Sequence, residues 1–289
     1  MKLFIIGNGF DLHHSLPTNY SQFVLFLKQN YREVYDGLIK VIRNYSVTYF
    51  TIDVTNEDYN WAELENIIGS LEPLELVEEH RDWNSPDDYT GGPNKEIETM
   101  LEFGMKTSIY LSSWIKEVSH NLKSMEKIEK IDKLICKKDK FLSFNYTSTL
   151  ETLYGIPNVL HIHGSPPKKL IMGHDEEYNV QGNDFGVNLV NEKYVKKYFK
   201  RTAKKTFSII NRNHNFFERQ NLEEVTDIYV LGHSMNVIDR PYFQKIFELT
   251  SENVFWHITY YNTNDIDYFA EAANQLGIKK IEYISWDTL

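Results

Sequence analysis

Cysteine is almost absent from this chain: Cys136 is the only one in 289 residues. A single thiol forms no internal disulfide, and no zinc site can rest on thiolates. That usage belongs to a reducing compartment, so a cytoplasmic protein is expected. Long apolar runs are lacking as well. No stretch approaches the roughly 18 residues that span a bilayer, so no membrane partner is expected. The opening MKLFIIGNGF has no charged segment followed by a long apolar run and does not read as a signal peptide. Basic charge is in deficit, with a net charge of −10, which argues against non-specific binding to nucleic acid. There is no internal repeat and no low-complexity tract.

What the chain has is ample apolar and aromatic material: 42% hydrophobic residues, with 17 Phe and 19 Tyr. Its length allows one large domain or two intimately packed ones. Charge is unevenly placed. From Asp53 to Glu102 there are 15 acidic residues against Arg81 and Lys95. From Asn191 to Arg219 nine Lys and Arg stand against Glu192 and Glu218. Within the latter, Lys196, Lys197, Lys200, Arg201, Lys204 and Lys205 recur as pairs every four residues, which is one face of a helix. That basic face, over 193–205, reads as a solvated surface first and leaves a phosphate, nucleic-acid or acidic partner open.

Strand-length apolar runs occur at Leu3–Ile6, Phe141–Phe144, Val159–Ile162, Leu170–Met172, Ile228–Leu231, Val254–Thr259 and Ile281–Ile284. Most are continuous, the pattern of parallel strands buried on both faces. Helical spacing predicts a helix over Ser21–Asn30 with Ser21 as N-cap. A second is predicted over Asn94–His120, with Ile97, Leu101, Met105, Ile109 and Ile115 on its apolar side. Arg81–Pro93 reads as a loop. The expectation is an α/β fold of Rossmann type. Its parallel sheet, from residues 1–20 and 136–289, is interrupted after the first strand by a mainly helical insertion over 21–135.

Ligands of open parallel sheets bind beyond the carboxyl ends of strands. There the first strand runs into Gly7-Asn8-Gly9-Phe10-Asp11, the second into Asn145-Tyr146-Thr147, the third into His161-Ile162-His163-Gly164, and the run Ile228–Leu231 into Gly232-His233-Ser234. Gly-x-Gly after a strand is how a dinucleotide fold opens its phosphate turn, although Leu12 sits where the third glycine of the fingerprint would fall. On this reading Gly9→Val abolishes ligand binding and leaves the fold intact. Asn145 also suits a helix cap. On a strand His161 and His163 share one face, a spacing that can ligate a metal; without further nearby ligands none is expected, and His163 at the strand end is better placed for acid–base work. Gly232-His233-Ser234 lacks the final glycine of a hydrolase elbow.

The segments GNGFDLHHSLPTNYSQF, WAELENIIG, FLSFNYTSTLE, HIHG and LGHSMNVIDRPYF together resemble the AbiH family of phage abortive infection, over most of the chain. AbiH-like chains are in turn similar, more distantly, to sirtuin-like NAD-binding proteins. That resemblance implies a sirtuin-like α/β fold with NAD as substrate or ligand. It places Gly7, Asn8, Gly9 and Asp11 at the phosphate turn, Asn145 on the nicotinamide ribose, His163 as catalytic base, and Gly232, His233 and Ser234 on phosphate or ribose. It also departs in places: Thr147 stands where sirtuin-type NADases carry Asp, Asp11 stands where sirtuins have a small hydroxyl residue, and there are no cysteine pairs for a zinc module. Three functions stay open. One is hydrolysis of NAD at the nicotinamide–ribose bond, in which His163→Ala costs turnover and His161→Ala costs little. Another is a non-catalytic nucleotide-binding sensor or scaffold with a phage or host protein partner. The last is a nuclease-type toxin resting on the basic face and on Asp58, Glu63 and Glu65. An oligomer is open in each.

Overall fold

The computed structural model describes residues 1–45, 64–65, 95–174 and 189–289. The loop expected over Arg81–Pro93, and Asp58 and Glu63, lie outside the described residues. The chain divides into two compact units. One comprises Met1–Thr18, Ile115–Leu170 and Lys205–Leu289; the other comprises Asn19–Trp114 and Ile171–Lys204.

The first unit is built on six strands: β1 (Lys2–Ile6), β2 (Lys140–Ser143), β3 (Val159–His161), β4 (Asp227–Leu231), β5 (Phe255–Tyr260) and β6 (Ile281–Ser285). They form one sheet in the order β3-β2-β1-β4-β5-β6, with every pairing parallel. This is the strand order of the doubly wound dinucleotide-binding fold, which reverses direction between β1 and β4. Parallel strands covered on both faces need apolar residues at every position. Leu3, Phe4, Ile5 and Ile6 on the central strand are accordingly 0–1% exposed. Burying each stabilises the fold by about 1.5–3 kcal/mol.

Register fixes which rings meet. Phe4 is level with Phe141 on one side and Tyr229 on the other, and Tyr229 is level with His257. The rings stack at 5.1, 5.1 and 4.2 Å, an aromatic row across four strands. On that face Phe4, Ile6 and Phe141 pack with Ile131, Leu150, Tyr154 and Trp286. Period-two alternation turns Phe144 to the other face, where it meets Tyr242 and Phe243.

The run Leu170–Met172 joins no strand of this sheet. Leu170 and Met172 are buried, and the chain beyond them makes an isolated bridge, His174 to Ala203. A three-residue apolar run signals burial but does not choose between strand and packed loop.

In the second unit the helix Tyr20–Asn30 is capped by Asn19, whose side chain accepts the Gln22 N–H at 2.9 Å, so Ser21 is not the cap. The helix Lys95–Val118 buries Phe103, Thr107, Tyr110, Leu111, Trp114 and Ile115 and leaves Met105 and Ile109 exposed. Of the apolar side expected, Ile115 is buried and Met105 and Ile109 are not, while the side chains of Ile97 and Leu101 lie outside the described ones. Large aromatics take the interior instead: Trp114 lies against Phe23 and Tyr110 against Tyr31. Gly104 permits the helix Leu189–Thr202 to approach, since a Cβ there would lie 3.0 Å from Thr202 and 3.3 Å from the Tyr198 ring.

Glu65 is 8% exposed and fully engaged. It accepts Lys204 Nζ at 2.8 Å, the Tyr20 hydroxyl at 3.0 Å and the Gly173 N–H at 3.3 Å. Removing one partner of a buried pair leaves an uncompensated charge. Glu65→Ala should therefore lower the unfolding free energy by about 3–5 kcal/mol in urea denaturation. A loss under about 1 kcal/mol, the worth of a surface pair, would mean that the pair is solvated.

Candidate functional site

The residues beyond β1 and β4 hold one another. Gly7 N–H donates to Leu231 O at 2.9 Å and Gly9 N–H to Gly232 O at 2.8 Å. Gly232 N–H donates to Thr259 Oγ1 at 2.8 Å, and the Tyr261 hydroxyl donates to Gly9 O at 3.0 Å. A Cβ on Gly7 would lie 2.4 Å from the His233 Cα, and one on Gly9 would lie 2.7 Å from the Gly232 Cα. Gly232 itself has φ +71°, a conformation side chains resist. The glycines therefore make room for the neighbouring strand's own backbone, and two of the N–H groups expected to cradle a phosphate are already bonded. Asn8 and Ser234 are exposed beside this clasp.

A polar cluster lies on the Ser143 face, at the ends of β1, β2 and β3. Asp11 is 1% exposed. Its carboxylate accepts the Thr147 hydroxyl, the Thr149 hydroxyl at 2.7 Å and a bond from the Asn145 side chain. Asn145 also donates Nδ2–H to Gly7 O at 3.0 Å. Burial pushes the Asp11 carboxyl up to about 6, against the pull of those three donors and the charge of His161.

His161 Nδ1–H donates to Asn145 O at 2.8 Å, while Nε2 faces Glu151 Oε1 at 2.8 Å. The charged ring donates at both ends. Burial works against that charge, but the Glu151 carboxylate, the Asn145 carbonyl and Asp11 outweigh it and raise the His161 pKa. These groups, with Ile6, Phe10, Ser143 and Leu150, line a crevice with no interior space the size of a water molecule.

His163 goes elsewhere. β3 ends at His161, and the chain turns as Gly164 N–H donates to His161 O at 3.0 Å. The alternation that would place His161 and His163 on one face is therefore interrupted. His163 lies on the Phe144 face, where its Nε2 is 3.6 Å from Asp239 Oδ1, and His233 Nε2 is 3.5 Å from Asp239 Oδ2. The Phe144 ring contacts both histidines edge-on, at 5.3 and 4.2 Å. His233 Nδ1 accepts the Met235 N–H at 2.9 Å, so in the neutral ring the proton sits on Nε2, toward Asp239. Among the described residues no group of three or more His, Cys, Asp or Glu is arranged to hold a metal.

Of the residues singled out from sequence, Asn145, Asp11 and His161 meet in one cluster, and His163 and His233 meet in another. Thr149 was not singled out, Glu151 stood only at the end of the segment FLSFNYTSTLE, and Thr147 was named at the strand end and as a departure, without a role. The signal for them was the spacing Asn145-x-Thr147-x-Thr149-x-Glu151, polar groups on alternate residues directly after a buried strand.

A family model described as "Bacteriophage abortive infection AbiH" matches residues 3–260, and the chain belongs to that family. No curated protein and no solved structure matches it.

Two outcomes follow from this geometry. Gly9→Ala should lower the unfolding free energy by about 1–3 kcal/mol, the cost of overpacking; an unchanged melting curve would mean that the clasp is open. Asp11 binds its proton more tightly folded, at about 6, than at its ordinary value of 3.8. Its contribution is therefore fully present below 3.8 and lost as pH rises through 6, a difference of about 3 kcal/mol. Measured from pH 4 to 7.5, the stability of Asp11→Asn should gain on the wild type by an amount of that order. A constant difference across the range would contradict the assignment.

Proposed function

We propose that this AbiH-family chain is a phage-defence effector that takes NAD or a related nucleotide at the carboxyl edge of its sheet and hydrolyses the nicotinamide–ribose bond. The observation that supports this most is Asp11. It is a nearly inaccessible carboxyl raised to about 6, gathered with two hydroxyls, an amide and an imidazole where three parallel strands end. Perturbed groups of this kind cluster at working sites, and this edge is where such folds bind.

The chemistry asks little of the chain. The bond between the ribose carbon and the nicotinamide nitrogen breaks, nicotinamide leaves as a neutral ring, and the ribose passes through an oxocarbenium ion that water captures. Above pH 6 an ionised Asp11 stabilises that positive charge and takes the proton water gives up. Asn145 orients the ribose and the water. Thr147 and Thr149 aim the carboxylate, and Glu151 holds His161 against Asn145.

One observation favours the sensor reading. The crevice has no space for water, and the N–H groups of Gly7 and Gly9 are occupied. A ligand therefore requires the edge to open. The nuclease reading loses Glu65, whose oxygens are committed to Lys204, Tyr20 and Gly173. Lys196, Lys197, Lys200 and Arg201 remain exposed.

Incubating the protein with NAD, with and without phage-infected lysate, and following free nicotinamide tests the reading. Asp11→Asn should reduce turnover by about two to four orders of magnitude. His163→Ala, in the other cluster, should change it less than about tenfold. The reverse pattern would give the base to His163. Nucleotide binding without turnover under every condition would leave the sensor.

A further inference from the structure

Because β4 lies between β1 and β5, the bond from the Tyr261 hydroxyl to Gly9 O crosses the end of β4. It therefore spans the point where strand order reverses, which is where doubly wound folds admit their ligands. Tyr261 is 54% exposed. One face stacks on Trp286 at 5.5 Å, and His13 packs on Trp286 at 4.4 Å and edge-on to Tyr261 at 6.3 Å. Trp286 is 2% exposed, and its indole N–H has no acceptor among the described residues.

We infer that Tyr261 is a gate over this point, and that the planar base of a nucleotide displaces it to stack against Trp286 and His13. The inference rests on the nucleotide reading above and assigns the base its slot. Two features support it. A half-exposed tyrosine held by one hydrogen bond and a ring stack is cheap to exchange, since its hydroxyl released to water forfeits little net free energy and an incoming base restores the stack. The surface beneath it is aromatic, and stacking on such rings tolerates any base. Burial pushes the Tyr261 phenol up to about 12, so it remains a donor to Gly9 at all physiological pH.

Tyr261→Phe removes the bond and keeps the ring, which favours the open form. ADP-ribose and ribose 5-phosphate, titrated by calorimetry into wild type and Y261F of equal melting temperature, test it. Y261F should bind ADP-ribose about two- to tenfold more tightly than wild type, the worth of one hydrogen bond. Ribose 5-phosphate, without a base, should bind the wild type at least tenfold more weakly than ADP-ribose. Equal ADP-ribose affinity in the two proteins overturns the gate and leaves the nucleotide reading standing. Equal affinity for the two ligands overturns the base slot. Absence of binding to either protein overturns the nucleotide reading and the gate with it.

Discussion

The first unit depends on one close approach, that of Gly7 and Gly9 to Gly232 and His233. With Cβ positions 2.4 and 2.7 Å from backbone carbon, no other residue fits without displacement. The approach draws the exits of β1 and β4 together, and Thr259 and Tyr261 extend it to β5. Everything at the carboxyl edge is arranged around it. Asn145 is anchored on Gly7 O, and Asp11 follows four residues after Gly7 on the helix Asn8–His13. Glycine here serves chain packing, which a strand–Gly-x-Gly pattern does not distinguish from phosphate binding.

Two buried polar clusters flank the clasp on opposite faces of the sheet, and their chemistry differs. Around Asp11 the donors are short and numerous, so the carboxylate is held while burial still opposes its charge. Around Asp239 two imidazoles approach at 3.5 and 3.6 Å inside an aromatic surround. On the proposed reading the former stabilises positive charge; the latter joins the ends of β3 and β4 beside Phe144. On the proposed reading a closed edge suits an effector that is present before infection and silent until opened.

The sheet was legible because its strands are continuous apolar runs, which parallel pairing requires. Leu170–Met172 misled because burial alone produces the same run. The helix Lys95–Val118 was legible in extent but only partly in phase: Ile115 is buried as its spacing suggested, Met105 and Ile109 are exposed, and Phe103, Tyr110 and Trp114 took the interior. At the site, Asn145 and Asp11 stood out by type and position. His161 and His163 were separated only by the turn at Gly164, which a two-residue spacing cannot reveal. Thr147 and Thr149 matter through a carboxylate 136 and 138 residues away in sequence, a pairing visible only once β1 and β2 are neighbours.

Amide hydrogen exchange at Gly7, Gly9 and Gly232, followed residue by residue in the ligand-free protein, tests the clasp most directly. All three should exchange only through global unfolding, as the core amides of β1 do. Exchange at Gly7 and Gly9 as fast as at exposed loops would show those N–H groups free, and would return the turn to a phosphate cradle.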